Sequence, residues 1–184
     1  PEVAQQLVDL GGHGDLLAAL SWVVAVERLP TLFTHCKVAA PPAPEGLEDK
    51  DAMAMMKRSY LQILRVAEAH KIIVNIEPHG YFTTNPEMMA QMQAFSDSPW
   101  LRMNMDTGNT FIAGQDPVKF LNRFLPHVSH VHVKDVSESL AKVMRGGMTG
   151  IAVSHCALGD GVNADNIVQC LGVLRDAGYS GVLS

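Results

Sequence analysis

Three short apolar segments, each ending in a side chain able to bind a metal, restrict what this chain can fold into. They are Ile72-Ile-Val-Asn-Ile-Glu77, Leu101-Arg-Met-Asn-Met-Asp106 and Val128-Ser-His-Val-His-Val-Lys-Asp135. A strand of a parallel sheet is covered on both faces, so it reads as a near-continuous apolar run. Period-two alternation puts His130, His132 and Lys134 on one side of the third segment. Three polar groups on one face of a buried strand are costly unless something occupies them. The intervals are 29 residues from Glu77 to Asp106 and 26 from Asp106 to His132, each close to one strand-plus-helix unit. Successive units of that kind lie parallel, so Glu77, Asp106 and His132 gather at one end of the sheet. Two carboxylates and an imidazole suit Mn²⁺, Mg²⁺, Co²⁺ or Zn²⁺. The plainer reading is that Glu77 and Asp106 cap the following loops and His132 is a hydrogen-bonded core residue. That serves for any one of them, but the three together favour a metal.

The segments between the strands carry helix signals. Asp15 opens a helix to about Arg28, which Pro30 stops. Thr31 to Cys36 reads as a strand ending in His35, and the proline-rich stretch from Ala39 to Gly46 as a loop. Met56, Tyr60, Ile63, Leu64 and Ala67 follow helical spacing within Asp51 to His70. Asn85-Pro86-Glu87 and Asp116-Pro117 each combine a capping side chain with a proline in the first turn. They start helices ending near Phe95 and Pro126. Asn163 caps a helix to about Ala177, Gly178 closes it, and Gly181 opens a final strand. The result is an α/β chain with a parallel sheet and helices outside. Periodicity alone leaves a closed barrel and an open doubly wound sheet both standing.

Composition excludes several function classes. A net charge of −5 argues against a nucleic-acid backbone as the main partner, since phosphate binding needs a concentrated basic surface. Cys36, Cys156 and Cys170 are odd in number and widely spaced, which suits reduced thiols and a cytoplasmic setting better than a disulfide framework. The longest apolar run, Leu16 to Val26, is too short to span a membrane and reads as a core helix. The methionines, among them Met53, Met55, Met56, Met88, Met89 and Met92, fall mostly on helices and read as core filling.

In order, Ile76-Glu-Pro-His-Gly80, Asn104-Met-Asp-Thr-Gly-Asn109 and His130-Val-His-Val-Lys-Asp135 resemble the sugar isomerase/epimerase superfamily with the xylose isomerase-like TIM barrel. The resemblance covers Thr31 to Ser184. It implies a (β/α)₈ TIM barrel, and the motifs correspond to its fifth, sixth and seventh strands. It also implies that Glu77, Asp106 and His132 are metal ligands, and that a fourth ligand, a glutamate closing the eighth strand, lies just past Ser184. A complete barrel takes about 250 residues, so residues 1–184 are expected to form a single barrel domain truncated at both ends, starting without Met and stopping within a strand. The implied activity is a divalent-metal-dependent isomerase or epimerase acting on a sugar or keto-sugar through an enediolate. Glu77 would be one acid/base residue, and its partner would be the missing glutamate. An inosose-type dehydratase would use the same metal and acid/base pair. An abasic-site endonuclease needs further ligands and a basic groove, and a non-catalytic barrel would not keep all three ligands. A homo-oligomer is open.

Other candidates surround this set. His79, two residues past Glu77, is a substrate contact or a solvated loop residue, and His35 is placed to line the pocket. Asn109 stands where the tagatose-type epimerases in this superfamily carry a histidine that helps hold substrate. Lys134 is able to meet a substrate hydroxyl or phosphate, although a structural pair with Asp135 or with a glutamate is the simpler reading. Val136 to Asp160 is long for a connection in an α/β unit and contains Arg145-Gly-Gly147. It reads as a lid, with Arg145 able to reach an anionic substrate group, or else as a packed insertion. Gly159-Asp-Gly161 is taken as loop structure, since a lone GxG is weak evidence for phosphate binding.

Overall fold

A computed structural model of the chain describes residues 47–147 and 152–184. The expected helix from Asp15, the strand ending near His35 and the proline-rich loop lie outside the described residues. The chain divides into two compact units, one running to Val74 and including Phe95–Leu101, the other made of Asn75–Ala94 and Arg102–Ser184.

In the first unit, α1 (Asp49–His70) carries the buried stripe Met53, Tyr60, Ile63, Leu64 and Ala67. It stops at Lys71, whose backbone turns left-handed (φ 55°) and returns its N–H to the carbonyls of Ala67 and Glu68. The Tyr60 ring packs against Phe95 with centroids 5.8 Å apart.

The sheet runs β1 (Val74–Ile76), β2 (Leu101–Asp106), β3 (Val128–His132) and β4 (Val182–Leu183), in chain order. β2 pairs with β3 and β3 with β4 in parallel. Glu77, Lys134 and Asp135 lie just past the ends of their strands, which close earlier than the apolar runs suggest. Met103 pairs with Val128, but Asn104 pairs with His130. Ser129 is thus an extra residue, a bulge that changes which side chains share a face. Val128 and Val131 are buried, while Ser129 is half-buried and donates to Asn75 Oδ1 at 2.6 Å.

Helices follow β1, β2 and β3. A short α2 (Tyr81–Thr84) occupies what the sequence suggests is loop. α3 (Pro86–Gln93) and α5 (Pro117–Phe124) start as the sequence signals: Asn85 accepts from the backbone N–H groups of Glu87 and Met88, and Asp116 from those of Val118 and Lys119. Between β2 and α5, α4 (Thr107–Ile112) begins directly after Asp106. Of the helical methionines expected as core filling, Met53, Met89 and Met92 are buried, whereas Met55, Met56 and Met88 are only half-buried; on β2, Met103 and Met105 are fully buried.

The long segment after β3 contains α6 (Glu138–Met144). Leu140, Ala141 and Met144, together with Ala152, pack on a core cluster of Phe111, Ile112 and Val136. The described part of this segment is therefore a packed insertion. α7 (Ala164–Asp176) has Asn163 at its N-cap, but the side chain makes no cap bond. Fully buried, it donates instead to the carbonyls of Thr107 and Lys134 at 3.2 and 3.1 Å, tying the start of α7 to the strand ends that carry the site.

Candidate metal centre

Glu77 follows β1, Asp106 closes β2, and Asp106 stands in register with His132 at the end of β3. Each offers one ligand atom, and the three atoms lie within 4.8 Å of one another. His132 Nδ1 is 3.6 Å from Glu77 Oε1 and 3.8 Å from Asp106 Oδ2. Ligands about 2.1 Å from one divalent ion sit about 3–3.5 Å apart. A small inward movement thus suffices, and the donor set fits a divalent cation. Asp106 is buried, while Glu77 and His132 are half-buried.

The electrostatics point the same way. Hydrogen bonds to Asp106 and Glu77 outweigh the cost of burial and push the His132 pKa up to about 10. Burial raises the Glu77 pKa, but the hydrogen bond and charge of His132, the charge of His79 and the Asn104 amide bring it below its usual value. The metal-free cluster keeps Glu77 ionised and holds a proton on the imidazole. A divalent cation held by these residues would have to displace that proton, because a ligating histidine must be neutral on the metal-facing nitrogen.

Asp106 caps the following helix, α4, with one oxygen and turns the other toward His132: Oδ1 accepts the Asn109 backbone N–H at 2.7 Å, and Oδ2 faces the imidazole. Asn109 is almost fully buried, so its amide is committed to protein partners. Its Nδ2 donates to Glu77 Oε1 at 3.4 Å, and its Oδ1 accepts from Lys134 Nζ at 2.8 Å. Lys134 Nζ also donates to the Ala152 carbonyl at 2.6 Å. The ammonium is thus linked through one amide to the Glu77 carboxylate.

The expected Lys134–Asp135 pair is absent among the described residues. Asp135, 1% exposed, accepts four backbone N–H groups: Val136 at 2.8 Å and Asn163 at 3.1 Å on Oδ1, Gly159 at 2.9 Å and Gly161 at 3.0 Å on Oδ2. Amide donors replace a counter-cation, as in other backbone nests for anions. A Cβ on Gly161 would lie 2.2 Å from Asp135 Oδ1, so the glycine is needed for this close approach. The GxG pair is structural, as its sequence context suggests.

The remaining candidates are more dispersed. His79 is half-buried beside Glu77, and its backbone N–H donates to Thr83 Oγ1 at 2.8 Å. Arg145 caps the end of α6, where its guanidinium lies over the Phe111 ring, 3.8 Å from the centroid, and donates to the Phe111 carbonyl. His35 lies outside the described residues.

One site residue escapes a reading of the sequence. Asn104, 5% exposed, donates through Nδ2 to Glu77 Oε2 at 2.9 Å. The same nitrogen lies 3.2 Å from both ring nitrogens of His132. Its Oδ1 is buried without a hydrogen-bond partner, at a typical cost of about 1–3 kcal/mol. The signal for it is a carboxamide two residues before Asp106, in a strand whose neighbouring side chains are methionines.

Comparison with known proteins places this geometry in a family. The family model described as "Xylose isomerase-like TIM barrel" matches residues 19–184. The inosose dehydratase of Bacillus thuringiensis (strain Al Hakam) is 25% identical over 75 residues, covering 39% of this chain and 25% of that protein. That of Clostridium tetani is 27% identical over 59 residues, covering 32% and 20%. Among solved structures, a D-tagatose 3-epimerase-like protein superposes with TM-score 0.58 at 21% identity, over 73% of this chain and 47% of that one. A xylose isomerase domain protein from Planctomyces limnophilus gives TM-score 0.58 at 25% identity, over 76% and 46%. The chain thus spans a quarter or less of these two dehydratases and under half of the two structures. Parallel strands, helical crossovers and a match over most of the sequence agree: the chain belongs to the xylose isomerase-like TIM barrel family.

Proposed function

We propose that the whole protein is a divalent-metal-dependent isomerase or epimerase of a sugar or keto-sugar, acting by proton transfer through an enediolate. The observation that carries this reading is the convergence of Glu77 Oε1, Asp106 Oδ2 and His132 Nδ1 at the C-terminal ends of neighbouring strands. That is the face on which barrel active sites are built. When bound, a divalent ion supplies Lewis-acid stabilisation of negative charge on a substrate oxygen. The chain's own residues do the rest. Glu77, ionised at neutral pH, takes the proton next to the substrate carbonyl. His79 and Lys134 bind substrate hydroxyls at the rim, and Asn109 holds Lys134 and Glu77 in one line. Arg145 joins them only if it leaves the Phe111 carbonyl.

A second reading, an inosose-type dehydratase, is favoured by one observation: the matched curated relatives carry that name. Both activities begin with the same proton abstraction and separate afterwards. The test uses full-length protein loaded with Mn²⁺, a panel of keto-sugars that includes an inosose, and deuterated water. An isomerase or epimerase incorporates deuterium and keeps substrate mass otherwise unchanged, whereas a dehydratase releases water. Glu77→Gln is expected to abolish C–H exchange on whichever substrate reacts. Unchanged exchange in that variant would place the base elsewhere.

A further inference from the structure

The two oxygens of Glu77 are held differently, and Asn104 is what separates them. Oε2 accepts the Asn104 amide at 2.9 Å, whereas Oε1 faces His132 Nδ1 at 3.6 Å and has a longer contact, 3.4 Å, from Asn109 Nδ2. Asp106 shows the same division, with Oδ1 held by the Asn109 backbone N–H and Oδ2 turned to His132. Each carboxylate thus has one oxygen held by a short amide bond and one turned to His132, the latter in Glu77 carrying only the longer Asn109 contact. For Asp106 the short bond follows from helix capping and is explained by the fold. For Glu77 it comes from a buried side chain. Asn104 lies on β2 between Met103 and Met105, both with no exposed surface, and its own carbonyl oxygen is buried without a partner. Leucine has nearly the same volume and would leave no orphaned oxygen, so packing alone does not account for an asparagine here. What asparagine adds is an amide nitrogen that donates to Glu77 Oε2 and also lies 3.2 Å from the His132 ring nitrogens.

We propose that Asn104 is a positioning residue that restricts Glu77 to one-oxygen ligation of the divalent ion. With Oε2 held back, Glu77 cannot chelate through both oxygens. One more coordination position then stays open to substrate, and the second lone pair of Oε2 stays available for proton transfer. The inference rests on the metal-dependent proton-transfer reading above.

The experiment uses full-length protein with Mn²⁺ as the probe. Infrared difference spectra, with and without Mn²⁺, are taken on ¹³C-glutamate-labelled protein, and the Glu77 band is assigned by its absence in Glu77→Gln. A wide separation of the two carboxylate stretches marks one-oxygen ligation and a narrow one marks chelation. Wild type is expected to show the wide separation, and Asn104→Leu the narrow one. In Asn104→Leu the hydration number of the bound Mn²⁺, read from water-proton relaxation, should fall by about one, and substrate C–H exchange should fall about 10–100-fold, the usual effect of removing a partner of a metal ligand. Chelation in wild type overturns the proposal, as does a wide separation with unchanged hydration in Asn104→Leu. The wild-type spectrum decides even if that variant does not fold, and Asn104→Asp, which cannot donate, gives a second comparison. Failure of wild type to bind Mn²⁺ removes the metal reading itself, an outcome distinct from chelation.

Discussion

Replacing Asp135 is expected to be among the most damaging single changes in the second unit, although the residue touches no ligand. Its carboxylate, 1% exposed, accepts four backbone N–H groups from the connection behind β3 and from the start of α7. The bonds from Val136 and Asn163 are buried; those from Gly159 and Gly161 are only partly so. In Asp135→Ala the two buried donors lose their partner at about 1–3 kcal/mol each, while the other two regain water at little cost. The expected loss is therefore about 2–6 kcal/mol, a large part of the roughly 5–15 kcal/mol stability of a domain. Asp135→Asn separates shape from charge. Its amide oxygen keeps the Oδ1 bonds, but its NH₂ then faces the N–H groups of Gly159 and Gly161, so about 1–3 kcal/mol is expected. Urea unfolding of the full-length protein, followed by circular dichroism, measures both, and the slopes should match wild type if only the folded state changes. Losses below about 0.5 kcal/mol in both variants would refute the claim that these four donors depend on Asp135.

Further outcomes follow from the same contacts. Gly108→Ala puts a Cβ 2.5 Å from Lys134 Cγ and 2.8 Å from its Cβ, so the lysine stem must move. A loss of about 1–3 kcal/mol in thermal or urea unfolding is expected, together with weaker substrate binding. Cys170 is 1% exposed and burial pushes its thiol up to about 12. Iodoacetamide at pH 8 should therefore leave it unmodified until urea unfolds the chain, as peptide mass mapping would report. Arg145→Ala removes a guanidinium stacked over Phe111 at a surface position and should cost about 0.5–1 kcal/mol in urea unfolding.

Much of the fold is legible in the sequence because the decisive signals are local. Asn85-Pro86 and Asp116-Pro117 start helices since a short polar side chain and a fixed φ act within three residues, and both caps form. The three runs ending at Glu77, Asp106 and His132 are legible because a charge after an apolar strand has few places to go. Features that depend on distant partners are not. Ser129 makes a bulge with no glycine to mark it, and its hydroxyl partner, Asn75, is 54 residues away. Asp135 looks like a partner for Lys134 because the two are adjacent, but its acceptors are filled from residues 24 to 28 positions further on, apart from Val136. Asn163 sits at a helix start, the usual place for a cap, yet its amide serves strand-end carbonyls across the unit. Asn104 escapes notice for a related reason. Strand alternation puts it on the face of Asp106, but nothing local says that its amide meets Glu77.

The central claim is that Glu77, Asp106 and His132 hold a divalent cation. It is tested most directly by metal analysis of the purified full-length protein and of its His132→Ala variant. Wild type, dialysed against Mn²⁺ and then metal-free buffer, should retain one ion per chain, and His132→Ala should retain well under that at the same protein concentration. Retention at the wild-type stoichiometry in the folded variant would contradict the account.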